Sequence, residues 1–346
     1  MKKYIINSND AGQRVDKFIQ KAAPSLPQSM MYKGIRTKNI KLNRKRCEIS
    51  TRLSEGDVLE LYLPDEFFGS DEKEYEFLKA PADITVVYED ENILLMDKKN
   101  GLVVHEDNDG SVDTLVNRML HYLYAKGEYD PADENSFTPA LCNRLDRNTG
   151  GIVIAAKNAE SLRILNQKIK DRELEKKYLC ILVGVPPKKS DTLTHYLFKD
   201  SKTNTVTVSD KKTASNKTII TKYRVLRTDG TLTLAEIELM TGRTHQIRAH
   251  MAYIGCPLLG DGKYGINRVN RSYNIKTQAL YSYKLKFDFT TDSGILSYLN
   301  GREFTAENVW FADKFVKWHK LFALEMCSIV QRAVLEIVFF CSQITC

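Results

Sequence analysis

The sequence predicts an α+β fold, a mixed and mainly antiparallel sheet with a few helices, behind a smaller basic module. Three observations carry that prediction. Short aliphatic runs with turn residues between them recur from Ile84 to Met240. No internal repeat and no alternating strand–helix rhythm of a parallel sheet is present. Charge is unevenly placed: residues 1–64 hold 13 Lys and Arg against six Asp and Glu, while the other 38 basic and 38 acidic residues balance. The whole net charge of +7 therefore lies in the first 64 of 346 residues. Concentrated positive charge suits a polyanion, because each neutralised phosphate releases counterions, although a solubilising surface would carry the same charge. Hydrophobic content of 42% and charged content of 27% are those of a globular chain able to bury a core.

The module opens with a strand at Tyr4–Ile6, followed by a helix that Asp10 can cap and that carries Val15, Phe18 and Ile19 on one face. Pro24 and Pro27 end it, and Ser29 can cap a second helix with Met30, Met31 and Ile35. Ile40 and Leu42 alternate with polar residues as a strand, Asn43-Arg44 reads as a turn, and Val58–Leu63 closes the unit. Two helices, a basic connection and a hairpin resemble the αL-type RNA-binding module of a small-subunit ribosomal protein and many rRNA-modifying enzymes. Lys38-Asn39 stands where that module often has glycine, and Asn39 is the residue expected to take the left-handed conformation there. The resemblance implies phosphate contacts from Arg36, Lys38, Arg44 and Lys45.

Pro64–Pro81 carries six acids against two lysines and is interrupted by Gly69-Ser70, the composition of a linker. Strands follow at Ile84–Val87, Ile93–Met96 and Leu102–Val104, then an apolar run at Ile152–Ala156. Asn158 caps an amphipathic helix to Asp171 with Leu162, Leu165 and Ile169 on one face. Further strands are expected at Lys176–Gly184, Thr192–Phe198, Thr205–Val208, Thr218–Leu226 and Leu232–Met240, and a helix at Gly242–Gly255. His245 and His250 in that helix are five apart with no glutamate after the first, so zinc-protease geometry fails and no metal is expected. The seven cysteines are scattered, without a Cys-x-x-Cys pair, which points to a reducing, cytoplasmic setting. The N-terminus has no apolar core of a signal peptide, and Glu325, Arg332 and Glu336 break the apolar C-terminal run, so no membrane span is expected.

One aspartate is oddly placed. Asp146 lies between Arg144 and Arg147 and leads through Gly150-Gly151 into the aliphatic run, where a buried carboxylate needs a charged partner. By itself it would read as an ion pair at a loop. Arg144-Leu145-Asp146-Arg147-Asn148-Thr149-Gly150-Gly151 is, however, similar to the catalytic motif of the RluA-type RNA pseudouridine synthases. Gly242-Arg243-Thr244-His245-Gln246-Ile247-Arg248 resembles the family's other signature, and Tyr88–His105, Pro257–Gly265 and Gln278-Ala279-Leu280 resemble the family as well. The usual member has Lys-Pro where this chain has Lys98-Lys99.

The resemblance runs from about Ala11 to about Phe315 and implies four domains or segments: an αL-type RNA-binding domain at 1–64, an acidic linker at 65–83, a catalytic domain at 84–315 and an apolar extension at 316–346. The extension could be a docked helix or an appendage without function. The implied reaction isomerises uridine to pseudouridine and needs no cofactor, in keeping with the absence of a GxGxxG or P-loop string. In it Asp146 is the nucleophile, attacking sugar or base, Arg243 its guanidinium partner and Tyr178 the ring that stacks on the target base. Arg144 would fill the space the flipped uridine leaves and contact phosphate. His105 could contact substrate or hydrogen-bond beside the site. The expected partner is RNA, large-subunit rRNA first and tRNA second, and the protein reads as a monomer. A non-catalytic RNA-binding or ribosome-assembly protein would not need Asp146, Tyr178 and Arg243 together. A glycoside hydrolase would need a second acid, which no motif supplies.

Overall fold

Two short helices and a four-stranded sheet enclose the first hydrophobic core. The computed structural model describes residues 1–68, 75–106, 110–312 and 314–315. They divide into two units: the first holds Met1–Asn148, Ile152–Leu174 and Lys286–Phe304, the second Thr149–Gly151, Glu175–Leu285 and the described residues from Thr305 on. The expected C-terminal extension lies outside the described residues.

In the first unit, β1 (Lys2–Ile5), α1 (Val15–Ala22), α2 (Gln28–Arg36), β2 (Ile40–Leu42), β3 (Lys45–Arg46) and β4 (Val58–Leu61) follow in order. The strands pair antiparallel in the order β1-β4-β2-β3 over a core that includes Val15, Phe18, Ile19, Met31, Ile40 and Leu59. The turn at Asn43-Arg44 is borne out, with both residues at positive φ, 52° and 63°, the conformation a two-residue hairpin demands. Three local expectations are corrected. Lys38, not Asn39, takes the left-handed conformation, at φ 64°. Neither Asp10 nor Ser29 caps a helix: Arg14 and Pro27 hold those positions without a side-chain cap. Asp10 is fully buried and accepts hydrogen bonds from Ser136 Oγ at 2.6 Å and Asn135 Nδ2 at 2.7 Å. A carboxylate that looks like a cap in sequence has a buried tertiary partner instead.

The same unit continues with β5 (Val86–Glu89), β6 (Ile93–Lys98), α3 (Leu115–Ala125), β7 (Ala140–Leu141), β8 (Gly150–Ala156) and α4 (Ala159–Asp171). β6 lies beside β8 and pairs antiparallel with β5. Both β6 and β8 are buried along their whole length, which is why β8 and the first four residues of β6 read as apolar runs. Leu102–Val104 forms no strand, only a single bridge from Val103 to Thr114. Helix α3 was not expected. Its signal is present: Thr114 Oγ1 accepts from Asn117 N at 3.1 Å as a cap, and Leu115, Met119, Leu120 and Leu123 form the buried face. Part of the expected linker packs on it, with Phe77 edge-on to Tyr124 at 5.9 Å. In α4 the cap at Asn158 is borne out, its side chain accepting from Ser161 N at 2.8 Å.

The second unit is built from β9 (Leu174–Val183), β10 (Ser190–Asp200), β11 (Thr205–Ser209), β12 (Lys217–Thr228), β13 (Leu232–Leu239), α5 (Gln246–Tyr253), α6 (Asn267–Ser272) and most of β14 (Leu280–Phe287), while β15 (Glu303–Thr305) begins in the first unit. The strand order is β11-β10-β12-β13-β9-β14, and every pair from β11 to β9 is antiparallel. Gly150-Gly151 runs parallel to Tyr281-Ser282. Gly151 sits at φ 116°, and a Cβ there would lie 2.2 Å from the Ser282 carbonyl oxygen, so this position requires glycine. The expected α+β architecture with a mainly antiparallel sheet is what the chain adopts. The helix expected from Gly242 begins only at Gln246, because His245 has φ 51° and interrupts it.

Candidate active site

Asp146 occupies the irregular segment between β7 and β8, half-buried, with exposed Arg144 and Arg147 on either side and buried Leu145 turned inward. The segment is pinned at both ends. Before it, Asn143 Oδ1 accepts from Ile154 N at 2.8 Å, and Cys142 N donates to Ile154 O at 2.7 Å. After it, the Arg147 carbonyl accepts from Gly101 N at 3.0 Å and from Lys98 Nζ at 3.0 Å.

Lys98 is the residue that sequence reasoning missed. Its side chain ends β6 only 1% exposed, and its ammonium also donates to the carbonyls of Leu102 at 2.7 Å and Lys99 at 3.1 Å. Three carbonyls from two loops thus converge on one buried cation. Burial pushes the Lys98 pKa down to about 8, and the negative charge of Asp146 opposes that fall. A lysine at the end of a hydrophobic strand reads in sequence as the residue where the strand reaches water. The available signal was the departure at Lys98-Lys99, which pointed at the turn and not at the ammonium.

His105 is exposed in this unit, and partial burial followed by the Arg144 guanidinium lowers its pKa. A cavity of about 420 Å³ beside the same loops is lined by Lys99, Gly101, Ser111, Arg118 and Arg147. Arg118 there is engaged by Asp113 at 2.5 Å.

The three residues expected to act on the nucleotide divide between the units, with Asp146 in the first and Tyr178 and Arg243 in the second. Tyr178 lies on β9 opposite Ile237 of β13 and is 6% exposed, too little to offer a ring face to a base unless its neighbours move. Arg243 is exposed, just before α5, and its backbone N–H donates to Gln246 Oε1 at 3.1 Å. His245 and His250 have separate partners: His245 Nδ1 lies 2.9 Å from Tyr264 Oη, and His250 Nε2 lies 2.7 Å from His195 Nδ1. Among the described residues no cluster of His, Cys, Asp and Glu is arranged to hold a metal ion. Arg36, Lys38, Arg44 and Lys45 are all exposed, at the end of α2 and around the β2–β3 turn.

A family model described as RNA pseudouridylate synthase matches residues 92–253, the span that contains all three expected catalytic residues. An uncharacterized RNA pseudouridine synthase of Mycoplasma genitalium is 32% identical over 82% of this chain and 88% of its own length. The ribosomal large subunit pseudouridine synthase D of Borreliella burgdorferi is 32% identical over 73% of this chain and 78% of its own. Among solved structures, human RNA pseudouridylate synthase domain containing 4 aligns with a TM-score of 0.50 at 19% identity, over 64% of this chain and 88% of that one, a likeness of fold. With identity of this extent over most of both chains, the protein belongs to the RluA-type RNA pseudouridine synthase family, isomerases that act on RNA.

Proposed function

We propose that this pseudouridine synthase modifies uridines of large-subunit ribosomal RNA, with Asp146 as the essential carboxylate. The substrate reading is supported by the name of the Borreliella burgdorferi relative and by the basic excess of residues 1–64. The observation that carries the chemical reading is the loop of Asp146, pinned from both sides and bathed in the field of a buried ammonium. A carboxylate can attack only when ionised, and a neighbouring cation favours that state.

The reaction detaches uracil from ribose, turns it and rejoins it through ring carbon five. The target must first leave its stack, at a cost of roughly a few kcal/mol. Once its neighbours move to uncover the ring, Tyr178 offsets part of that cost by stacking on the flipped base, worth about 1–3 kcal/mol. Arg144 fills the vacated space and contacts phosphate, Arg243 supplies the guanidinium for Asp146, and Arg36, Lys38, Arg44 and Lys45 set the position of the RNA through its phosphates. The domain division at 1–64, 65–83 and 84–315 belongs to the same reading, with the first domain as RNA holder.

Pseudouridine mapping of total RNA from cells with the gene intact, deleted or carrying Asp146→Ala tests this. Sites in large-subunit rRNA should vanish in both altered strains. Sites lost on deletion but restored by Asp146→Ala would overturn the catalytic assignment, and sites confined to tRNA would overturn the substrate.

A further inference from the structure

The stretch that presents Arg243 is strained and tightly held. His245, two residues on, adopts φ 51°, a left-handed conformation that an L side chain disfavours. Such a turn persists only when its surroundings over-determine it. The surrounding bonds converge on Gln246, which is 2% exposed. Its Oε1 accepts from Arg243 N at 3.1 Å and from Thr241 Oγ1 at 2.9 Å. Its Nε2 donates to the Ile220 carbonyl at 3.1 Å and to Thr221 Oγ1 at 3.0 Å. All four places on the amide are filled, and rotating it by half a turn would set its NH2 against the Arg243 N–H. Only one orientation is compatible with the turn.

The orientation is held from behind. Thr221 Oγ1 lies 2.8 Å from His250 Nδ1, His250 Nε2 lies 2.7 Å from His195 Nδ1, and His195 Nε2 lies 3.3 Å from Asp210 Oδ1. One proton order satisfies every group: Gln246 donates to Thr221, Thr221 to His250, His250 to His195 and His195 to Asp210. Thr221 and His250 are both fully buried, so no water competes for these bonds.

We propose that Gln246 is a positioning residue for Arg243, and that Thr221, His250 and His195 act through it by holding its amide in one orientation. The inference rests on the reading that Arg243 acts in the reaction, but it concerns a separate residue and has a readout of its own.

Two measurements test it. Hydrogen exchange at the Arg243 amide should quicken by about tenfold or more in Gln246→Met, and by less in Thr221→Val, which keeps shape and removes only the hydroxyl. Unchanged exchange in both variants would overturn the positioning role, and Thr221→Val decides alone if Gln246→Met fails to fold. In turnover of an RNA substrate, Gln246→Met should lower kcat by about tenfold or more in the natural background and by less than about twofold in Arg243→Ala, because the two residues act as one unit. Equal loss in both backgrounds would overturn the proposal in favour of a general structural role. If Arg243→Ala leaves kcat unchanged while exchange quickens as expected, the reading of Arg243 fails and the local positioning stands.

Discussion

The two loops expected to supply charge to the reaction are held in opposite ways. The Asp146 loop is fastened by a cation: Lys98 gathers three carbonyls in a nearly dry place and projects its charge toward the carboxylate. The Arg243 turn is fastened by neutral groups, an amide, a hydroxyl and imidazole, with every donor matched to an acceptor. A buried cation adds an electrostatic service but ties the loop to a protonation state. A neutral network carries no charge into the interior, but its order fails if one histidine takes an extra proton. The first loop should be sensitive to alkali and the second to acid.

The largest effect is expected from Lys98→Met. It takes the ammonium away from the carbonyls of Lys99, Leu102 and Arg147 and removes one positive charge from the surroundings of Asp146, so kcat should fall by at least about a hundredfold, the scale of a catalytic group displaced by an ångström. Turnover and thermal unfolding measured together decide the matter. A variant that unfolds like the natural protein and keeps its kcat would show that the loop is held without the ammonium.

The alkaline arm is subtler. Folded Lys98 titrates at about 8 against an ordinary value of 10.5, so between those pH values the unfolded chain holds a proton that the folded one has released. Stability should therefore rise with pH across that window, by up to about 3 kcal/mol. Activity should fall as pH rises through about 8, because the neutral amine of Lys98 has only two N–H donors left for the three carbonyls that hold the Asp146 loop. Denaturant melts and pH–rate profiles with opposite slopes would mark Lys98 as the group; parallel slopes would assign the alkaline limb to general unfolding.

The acid arm belongs to the other loop. Burial, and then the charge of His195, push His250 down to about 4 from 6.5. Below 6.5 the unfolded chain takes up a proton that folded His250 refuses, so stability should decline as pH falls from about 6.5 to 4, by up to about 3 kcal/mol. Asp210 faces His195 from the far side, its Oδ1 3.3 Å from His195 Nε2. Replacing His250 with Asn should flatten the slope between pH 6.5 and 4 in urea melts, and an unchanged slope would place the acid-sensitive group elsewhere.

These contrasts also explain what was legible in the sequence. The strands β9, β10, β12 and β13 announced themselves by aliphatic and alternating runs, and the hairpin at Asn43-Arg44 by its turn chemistry, because those signals are local. The same holds for the Asn158 cap. Asp10 read as a cap since a carboxylate before a helix usually is one; only the fold reveals Asn135 and Ser136 as its partners. Helix α3 was overlooked although its cap and its apolar face were both written out. Asp146 and Arg243 were legible through short motifs, whereas Lys98 was not. A lysine reads as surface by default, and its burial depends on carbonyls from Leu102 and Arg147, the latter 49 residues away. Gln246 lay inside the motif in plain view, but its role rests on Thr221 and His250, which only the packing of α5 on β12 brings to it.

The smallest expected effect sharpens the comparison most. Asn143 is the neutral anchor of the Asp146 loop, its side chain accepting from the buried Ile154 N–H at 2.8 Å. Asn143→Ala strands that donor, which should cost about 1–2 kcal/mol of stability. If the loop is held chiefly by charge, kcat should change by less than about threefold, because Lys98 still clamps the far side of Asp146. A loss of kcat as large as that of Lys98→Met would mean that backbone anchoring places the carboxylate and that the ammonium serves only to neutralise it. The two loops would then be held by the same means, and the alkaline window would have to be read as a change in the charge of the site with its geometry intact.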